Sequence, residues 1–159
     1  MRKISAQAKA AESDLILAIN DEETSVQIAA MQALTSIGTT DESLILKLVP
    51  RLGVNQPEVS FSAGALIDRI VQNRKAQNLS VGVSDEYALA MKFVEAPTPS
   101  VRVKGAYRLA SLSPSDKRAG DSLKLILNDS NGWVRERAAV FLEYPNSIPP
   151  ERMNTAYSP

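Results

Sequence analysis

The sequence predicts an all-α fold, a right-handed α-solenoid of about four two-helix units. Three observations predict it. The 159-residue chain is 44% hydrophobic and only 5% aromatic, a balance that suits closely packed helices better than a β-sandwich. One pattern of residues recurs four times along the chain. The segments between its copies have apolar residues at helical spacing, which predicts a second helix in each unit.

The recurring pattern is centred on four valines, which serve here as anchors. They stand 33, 42 and 33 residues apart. A large aliphatic residue follows each anchor by eight positions, and an aliphatic residue precedes it by seven. The anchor and the residues four, five and eight positions after it share one helical face. Mostly small residues stand at the two middle positions, so a neighbouring helix can approach the middle closely. The anchors are Val26, Val59, Val101 and Val134; the residues four and five positions later are Ala30 and Met31, Ala63 and Gly64, Gly105 and Ala106, and Ala138 and Ala139.

Helix starts are marked by proline and by polar loops. Pro57 and Pro99 stand two positions before their anchors, where the missing N–H costs nothing. The second helices are predicted in "DESLILKLVPRL", "SDEYALAMKFVEA" and "DSLKLILND". Pro50 interrupts the first of these stripes, so it either kinks that helix or divides it in two. The plausible caps are Asp41, Asp85, and Asp116 or Ser115.

The domain organisation follows from the repeat. We expect one repeat domain over residues 1–146 and a tail, 147–159, that is packed back on it or disordered. The long second interval predicts a longer helix or loop. Residues 76–83, "AQNLSVGV", are the best candidate for an irregular connection.

The last copy, "DSNGWVRERAAVFL" at residues 129–142, resembles a HEAT repeat. In that family the first helix opens with Asp, a short loop, Val-Arg-x-x-Ala-Ala and Leu. The copy "PSVRVKGAYRLASL" is similar, whereas the two earlier copies have Gln27 and Ser60 where the arginine stands. The resemblance covers about residues 12–145 and implies a binding protein. It also implies that Asp129 and Arg135 join a ladder of hydrogen bonds between neighbouring repeats.

Composition excludes several kinds of site. The 18 basic and 18 acidic residues cancel, and the chain has no Cys and no His, which excludes disulfides, thiolate zinc sites and histidine bases. The acidic run at residues 20–25 lacks the spacing of a calcium loop. We therefore expect no metal and no cofactor, and the sequence favours a non-catalytic protein over an enzyme. It contains no secretory signal and no membrane-spanning stretch, so a cytoplasmic location is expected.

Two sets of residues are candidates for binding. On the predicted second helices, Lys47, Arg51 and Lys92 can project towards the concave surface, where solenoids usually bind their ligands. Trp133 stands where the other copies have polar residues, so it contacts a partner, is covered by the tail, or caps the open end of the stack. The alternative set could bind phosphates: it comprises Arg102, Arg108, Arg135 and Arg137.

These candidates lead to three functional hypotheses. The first is a protein-binding scaffold or regulatory adaptor that uses the concave face of the repeat stack, with a homodimer as a possible assembly. The second comes from the family resemblance, since bacterial stand-alone HEAT chains often resemble lyase-like or chaperone-like proteins that act on phycobiliproteins. The third is a nucleic-acid-binding solenoid that uses the basic C-terminal third. It is the weaker alternative, because residues 101–159 contain 9 basic and 6 acidic residues, an excess of only three.

Overall fold

The computed structural model describes residues 11–80 and 85–145. Every regular element within these ranges is a helix, and no β-strand occurs in them. The predicted all-α fold class is therefore confirmed. The predicted tail, 147–159, lies outside the described residues.

The chain divides into two compact units, Met1–Ser84 and Asp85–Pro159, where the sequence predicts one repeat domain. The division falls directly after the predicted irregular connection. The first unit contains a helical segment over residues 11–18, called α1 here. It also contains the helices α2 (Thr24–Ile37), α3 (Ser43–Leu52) and α4 (Pro57–Ala76).

The second unit contains the helices α5 (Glu86–Val94), α6 (Pro99–Leu112), α7 (Lys117–Leu125) and α8 (Gly132–Glu143). A 3₁₀ turn, Ile126–Asn128, follows α7. Two packing relations occur in both units. The two anchor helices of a unit pack on each other, as α2 does on α4 and α6 on α8, and an anchor helix packs on the second helix before it, as α4 does on α3 and α6 on α5. In the second unit α7 also contacts both α6 and α8.

The anchors occupy equivalent environments in three of the four copies. Val59, Val101 and Val134 are buried, whereas Val26 is 38% exposed. The core of the second unit lies between its anchor helices and α7, because apolar positions of all three helices converge there. Its fully or nearly fully buried members are Ala90, Val103, Ala106, Leu109, Ala110, Ala119, Leu123, Ile126, Val134, Ala138 and Phe141.

The irregular features of the sequence have structural explanations. The helix α4 has 20 residues, whereas α2 and α6 have 14 each, which accounts for six of the nine extra residues of the second interval. Pro50 lies in the last turn of α3, which remains a single helix. There the proline removes only one intrahelical hydrogen bond near the helix end.

Two of the three predicted caps, those of α5 and α7, are confirmed. At the start of α3 the cap position is Glu42, and Asp41 before it accepts the backbone N–H of Ser43. The side chain of Asp85 accepts hydrogen bonds from the backbone N–H groups of Tyr87 and Ala88 at the start of α5. The side chain of Asp116 accepts one from Arg118 N–H at the start of α7. The sequence analysis did not identify Asn131, which caps α8 in the same way. These side chains satisfy backbone donors that lack intrahelical partners.

The close approach predicted at the middle of the anchor helices is found at Gly105. A Cβ atom added there would lie 2.6 Å from the backbone nitrogen of Val94 and 2.7 Å from the Cγ2 of the same residue. The helices α5 and α6 therefore touch backbone to backbone at this point. Only glycine fits, because any side chain would overlap the facing helix.

Candidate functional site

The residue after each anchor donates to a backbone carbonyl that lies before its own helix. The guanidinium of Arg102 donates to the carbonyls of Ala96 and Pro97, at 3.1 and 2.8 Å. The guanidinium of Arg135 donates to the carbonyls of Asp129 and Ser130, at 2.7 and 3.1 Å. In each helix the bonded carbonyls belong to residues six and five positions earlier, so the two copies share one geometry.

In the two earlier copies the residue after the anchor has a shorter side chain, which also donates to a backbone carbonyl. The amide nitrogen of Gln27 donates to the carbonyl of Asp21, again six positions earlier, at 2.6 Å. The hydroxyl of Ser60 donates to the carbonyl of Leu52 at 2.8 Å. The position after the anchor is therefore structural in all four copies, whichever residue occupies it.

One ion pair connects two anchor copies of the second unit. The Nε and Nη2 atoms of Arg102 donate to the two carboxylate oxygens of Asp129, at 2.8 and 3.0 Å. The side chains are only 13% and 11% exposed. The predicted ladder thus involves Asp129 and the preceding arginine, whereas Arg135 binds the loop before its own helix.

The protonation of Asp129 reflects these contacts. Burial raises the pKa of this carboxyl group, but the hydrogen bonds from Arg102 and from the backbone N–H of Asn131, with the charges of Arg102 and Arg135, outweigh it. The net result is a pKa below the ordinary value. Asp129 is therefore ionised at neutral pH and serves as a structural anion.

Arg51, a predicted partner-binding residue, is engaged within the first unit. Its Nη1 donates to the amide oxygen of Gln27 at 3.0 Å. Its Nη2 donates to the amide oxygen of Asn20 at 2.8 Å. Arg51 is half-buried and holds α3 against the start of α2. It is consequently less available to a partner than the sequence pattern indicates.

Lys47 lies on a solvent-exposed face of α3 together with two apolar residues. Leu46 is 72% exposed, and Pro50 is exposed as well. The three positions are neighbours on a helix surface, because Pro50 stands four residues after Leu46 and three after Lys47. We call Leu46, Lys47 and Pro50 the α3 patch.

The second unit has a similar arrangement on α7. Leu125 is 71% exposed and stands next to Lys124, whose ammonium lies 3.6 Å from the carboxylate of Asp121. We call Asp121, Lys124 and Leu125 the α7 patch. Lys92, on the other second helix of this unit, is exposed and pairs with Glu95 at 3.0 Å. Lys92 therefore lies in a more polar setting than Lys47.

The sequence analysis did not name Leu46 or Leu125 as site residues. A signal was available for Leu46, because it falls outside the apolar stripe formed by Leu44, Ile45, Leu48 and Leu52, all of which are buried. A large aliphatic residue outside the buried stripe of an amphipathic helix is exposed by geometry. Apart from Trp133, only basic residues were predicted as partner-binding residues, so Leu46 and Leu125 were missed.

Trp133, the fourth predicted partner-binding residue, is half-buried and packs against the core of the second unit. Its indole Nε1 is buried and has no hydrogen-bond partner within the described ranges. The Nε of Arg137, one turn further along α8, is in the same condition. The hypothesis that the tail covers Trp133 concerns residues outside the described ranges.

The arginines proposed to bind phosphates are mostly engaged in internal contacts. Arg102 pairs with Asp129, and Arg135 binds backbone carbonyls. The guanidinium carbon of Arg108 lies 4.6 Å from the ring centroid of Phe93, in a cation–π contact. Arg137 is half-buried. Three of these four arginines therefore make internal contacts in the second unit, and Arg135 remains exposed.

Residues 11–80 and 85–145 lack two further features. They contain no cluster of three or more potential metal ligands, and none of their helices combines the length and the apolar character needed to cross a membrane. The first unit has an open cleft of about 300 Å³ lined by Glu12, Ile37, Thr39 and Gln77 among others. Its one carboxylate, Glu12, accepts a hydrogen bond from the Thr39 hydroxyl.

Comparison with known proteins adds no assignment to these surfaces. The chain matches no protein-family model, no curated protein and no solved structure.

Proposed function

We propose that this protein is a non-catalytic protein-binding scaffold or regulatory adaptor, built as a short right-handed solenoid of HEAT-like hairpins. The repeated packing of anchor helices on second helices within each unit supports the solenoid. So does the equivalent bonding of the residue after each anchor. In such a stack the second helices line the concave face, which is where a partner binds.

The observation that carries the proposal is the exposure of one leucine beside one lysine on the second helices of both units. Leu46 and Leu125 are 72% and 71% exposed, and Lys47 and Lys124 are exposed beside them. Burying a leucine side chain contributes about 1.5–3 kcal/mol. An apolar side chain flanked by a cation is therefore suited to an amphipathic segment that presents apolar and acidic side chains together.

The scaffold is suited to this role because its binding surfaces stand on fixed helices. The Arg51 contacts hold α3 to the start of α2, and the Arg102–Asp129 pair links two anchor copies. A surface that is rigid before binding loses less conformational entropy when a partner is bound. Mechanistically, the protein would act by shape and charge complementarity and would form no covalent bond.

The proposal is tested with a phage-displayed library of 15-residue peptides sorted against the wild-type protein. We expect the selected peptides to combine Leu or Phe with Asp or Glu at helical spacing. Their affinities are then measured by calorimetry for wild type, Leu46→Asp, Lys47→Glu and the control Ser111→Glu. Ser111 is exposed on an anchor helix, so the control adds a negative charge away from the patches.

We expect Leu46→Asp to weaken peptide binding by about tenfold or more, because it removes an apolar anchor and repels acidic groups. Lys47→Glu should weaken binding less and reduce its dependence on salt, since the lost contact is electrostatic. Ser111→Glu should bind as wild type does. Equal affinities for all four proteins would show that the α3 patch is not the binding surface.

A further inference from the structure

The open cleft of the first unit lies between three segments of the chain: the helical segment α1, the loop after α2 and the end of α4. Its volume is about 300 Å³, at the lower end of the range of small-molecule sites. The cleft can therefore hold a group about as large as a long amino-acid side chain. Its lining includes Glu12, Leu15, Ile37, Thr39, Thr40 and Gln77.

Glu12 supplies the negative charge of the cleft. It is half-buried, and one of its carboxylate oxygens accepts a hydrogen bond from the hydroxyl of Thr39. Within residues 11–80 an ion pair joins Arg74 to Glu42, whereas no Lys or Arg of that range pairs with Glu12. The attraction between charges is stronger where water is partly excluded. A half-buried carboxylate without a cationic partner is therefore suited to binding a cation.

Two helices end at the cleft. The helix α2 ends at Ile37 and α4 ends at Ala76, directly before the lining residues Gly38 and Gln77. The C-terminal end of a helix carries a partial negative charge, which a basic residue in the last turn can complement. The helix α2 has no charged residue at all. Its own residues therefore leave this partial charge uncompensated beside the cleft.

The basic residues near the cleft do not neutralise Glu12. The guanidinium of Arg74, in the last turn of α4, lies 2.6 Å from the carboxylate of Glu42 and donates to the carbonyl of Thr40 at 2.6 Å. Lys75 in the same turn is exposed and complements the end of α4. The net negative charge at the cleft therefore comes from Glu12 and from the end of α2.

We propose that the cleft binds an alkyl guanidinium, the chemical group that ends an arginine side chain. A guanidinium presents several N–H donors in one plane. The acceptors are the carboxylate oxygen of Glu12 that Thr39 does not use and the carbonyls at the end of α2. The alkyl part would lie against Leu15 and against Ile37, which is 55% exposed.

A guanidinium fits the cleft better than a metal ion does. The described residues contain no cluster of three or more His, Cys, Asp or Glu side chains, and Glu12 is the one carboxylate in the lining. Ca²⁺ and Mg²⁺ require about six oxygen ligands at fixed distances. The space of about 300 Å³ and its apolar side chains suit an organic cation instead.

The binding is expected to be weak, because a ligand of few atoms gains little free energy in an open cleft. For n-butylguanidinium we expect a dissociation constant on the order of 1 mM. This inference does not depend on the binding role proposed for the α3 patch. That patch combines apolar and basic side chains and is suited to acidic segments, whereas the cleft is suited to a cation.

The probe is n-butylguanidinium, and its matched control ligand is n-butylurea, which has nearly the same shape and no charge. Titration of the isotopically labelled protein, followed by amide NMR spectra, measures both the affinity and the position of the ligand. We expect n-butylguanidinium to shift the amide signals of Gly38, Thr39, Thr40 and Gln77. The affinity of n-butylurea should be at least about tenfold lower, because the attraction to Glu12 is lost.

Variants then test the role of each wall of the cleft. Glu12→Gln keeps an acceptor for the Thr39 hydroxyl but removes the charge, so it should weaken n-butylguanidinium binding about tenfold or more. The control Asp14→Asn removes the same charge from an exposed residue of α1 outside the lining and should bind as wild type does. Ile37→Ser removes an exposed apolar contact and should weaken binding about threefold.

Equal affinities of wild type and Glu12→Gln overturn the proposal, and so does n-butylurea binding as tightly as n-butylguanidinium. Signals that shift elsewhere in the chain while those of the cleft stay unchanged also overturn it. The dispersion of the amide signals shows whether each variant is folded. If Glu12→Gln does not fold, Ile37→Ser decides the test, because an affinity equal to that of wild type then overturns the proposal.

A capped Gly-Arg-Gly peptide distinguishes the two sources of a guanidinium. An affinity within about threefold of that of n-butylguanidinium assigns the cleft to an arginine side chain of a partner, and weaker peptide binding assigns it to a free guanidine. Leu46→Asp should bind n-butylguanidinium as wild type does. Failure of this proposal and failure of the α3 patch as a peptide site are therefore distinguishable.

Discussion

At the scale of single residues, arginine side chains of the second unit connect loops to helices. Arg102 binds two carbonyls of the loop before its own helix and both carboxylate oxygens of Asp129. Asp129 in turn accepts the N–H of Asn131, whose side chain caps α8. One carboxylate thus fixes the position of the arginine and the start of the last helix.

We predict that Asp129→Asn lowers the free energy of unfolding at pH 7 by about 1–3 kcal/mol, because it leaves a largely buried guanidinium without its charge partner. The pKa of Asp129 is lowered in the folded state. The contribution of the ionised Asp129 to the free energy of unfolding is therefore fully present above the pKa of the unfolded state, near 3.9. It is lost as the pH falls through the pKa of the folded state. The difference between wild type and variant should shrink progressively below about pH 4.

Urea denaturation at several pH values measures this difference. The control is Asp121→Asn, which removes an exposed carboxylate 3.6 Å from Lys124 and should change the free energy of unfolding by less than about 0.5 kcal/mol. A difference between Asp129→Asn and wild type that is the same at pH 7 and pH 3 would contradict the electrostatic explanation.

At the scale of helices, the close backbone contact between α5 and α6 requires glycine at position 105. We predict that Gly105→Ala lowers the free energy of unfolding by about 1–3 kcal/mol, even though alanine favours helix by about 1 kcal/mol. The added Cβ would lie 2.6 Å from the backbone nitrogen of Val94, so the two helices would have to separate. Thermal denaturation followed by circular dichroism measures the effect.

Gly120→Ala provides the matched control on α7. A Cβ there would meet its nearest neighbour, the Cβ of Ser113, at an ordinary 3.6 Å. We therefore expect this substitution to stabilise the protein by about 0.5–1 kcal/mol through helix propensity. If both alanine variants changed stability in the same direction, the close approach at Gly105 would not be the cause.

The helices were largely predictable from sequence, because apolar periodicity, prolines and aspartate caps are local signals. The exceptions have local reasons too. Leu127 occupies the aliphatic position before its anchor but is 39% exposed, while its neighbour Ile126 in the 3₁₀ turn is buried. In α8 the fully buried large residue is Phe141, and the expected Leu142 is only partly buried. After α7 the change to a 3₁₀ turn shifts the buried position from Leu127 to Ile126. In α8 the larger side chain of Phe141 takes the buried position expected for Leu142.

The candidate site was less predictable, because its residues are defined by partners far away in sequence. Arg51 binds residues 24 and 31 positions earlier, and Arg102 binds a residue 27 positions later. No feature of the neighbouring sequence distinguishes these arginines from arginines that make no internal contact. Lys47 is exposed, and its role in partner binding stays a prediction. Leu46 beside it was missed because only basic residues and Trp133 were considered.

At the scale of the whole molecule, opposite charges cancel, and several arginines take part in internal packing. The chain has no net charge, and the arginines Arg102, Arg108 and Arg135 are engaged in internal contacts in the second unit. The described surface retains exposed side chains of both charge signs, with the exposed Leu46 and Leu125 among them.

The position of Trp133 makes the second unit optically distinguishable. It is the single tryptophan of the chain and packs against the core of that unit, so indole fluorescence reports on Asp85–Pro159, whereas far-ultraviolet ellipticity samples helices of both units. In the Gly105→Ala variant we expect the emission change to precede the loss of ellipticity as denaturant is raised. If the unfolding curves from fluorescence and from ellipticity coincide, the two units unfold in one cooperative transition. Trp133 alone is sufficient as the fluorescent probe for this comparison.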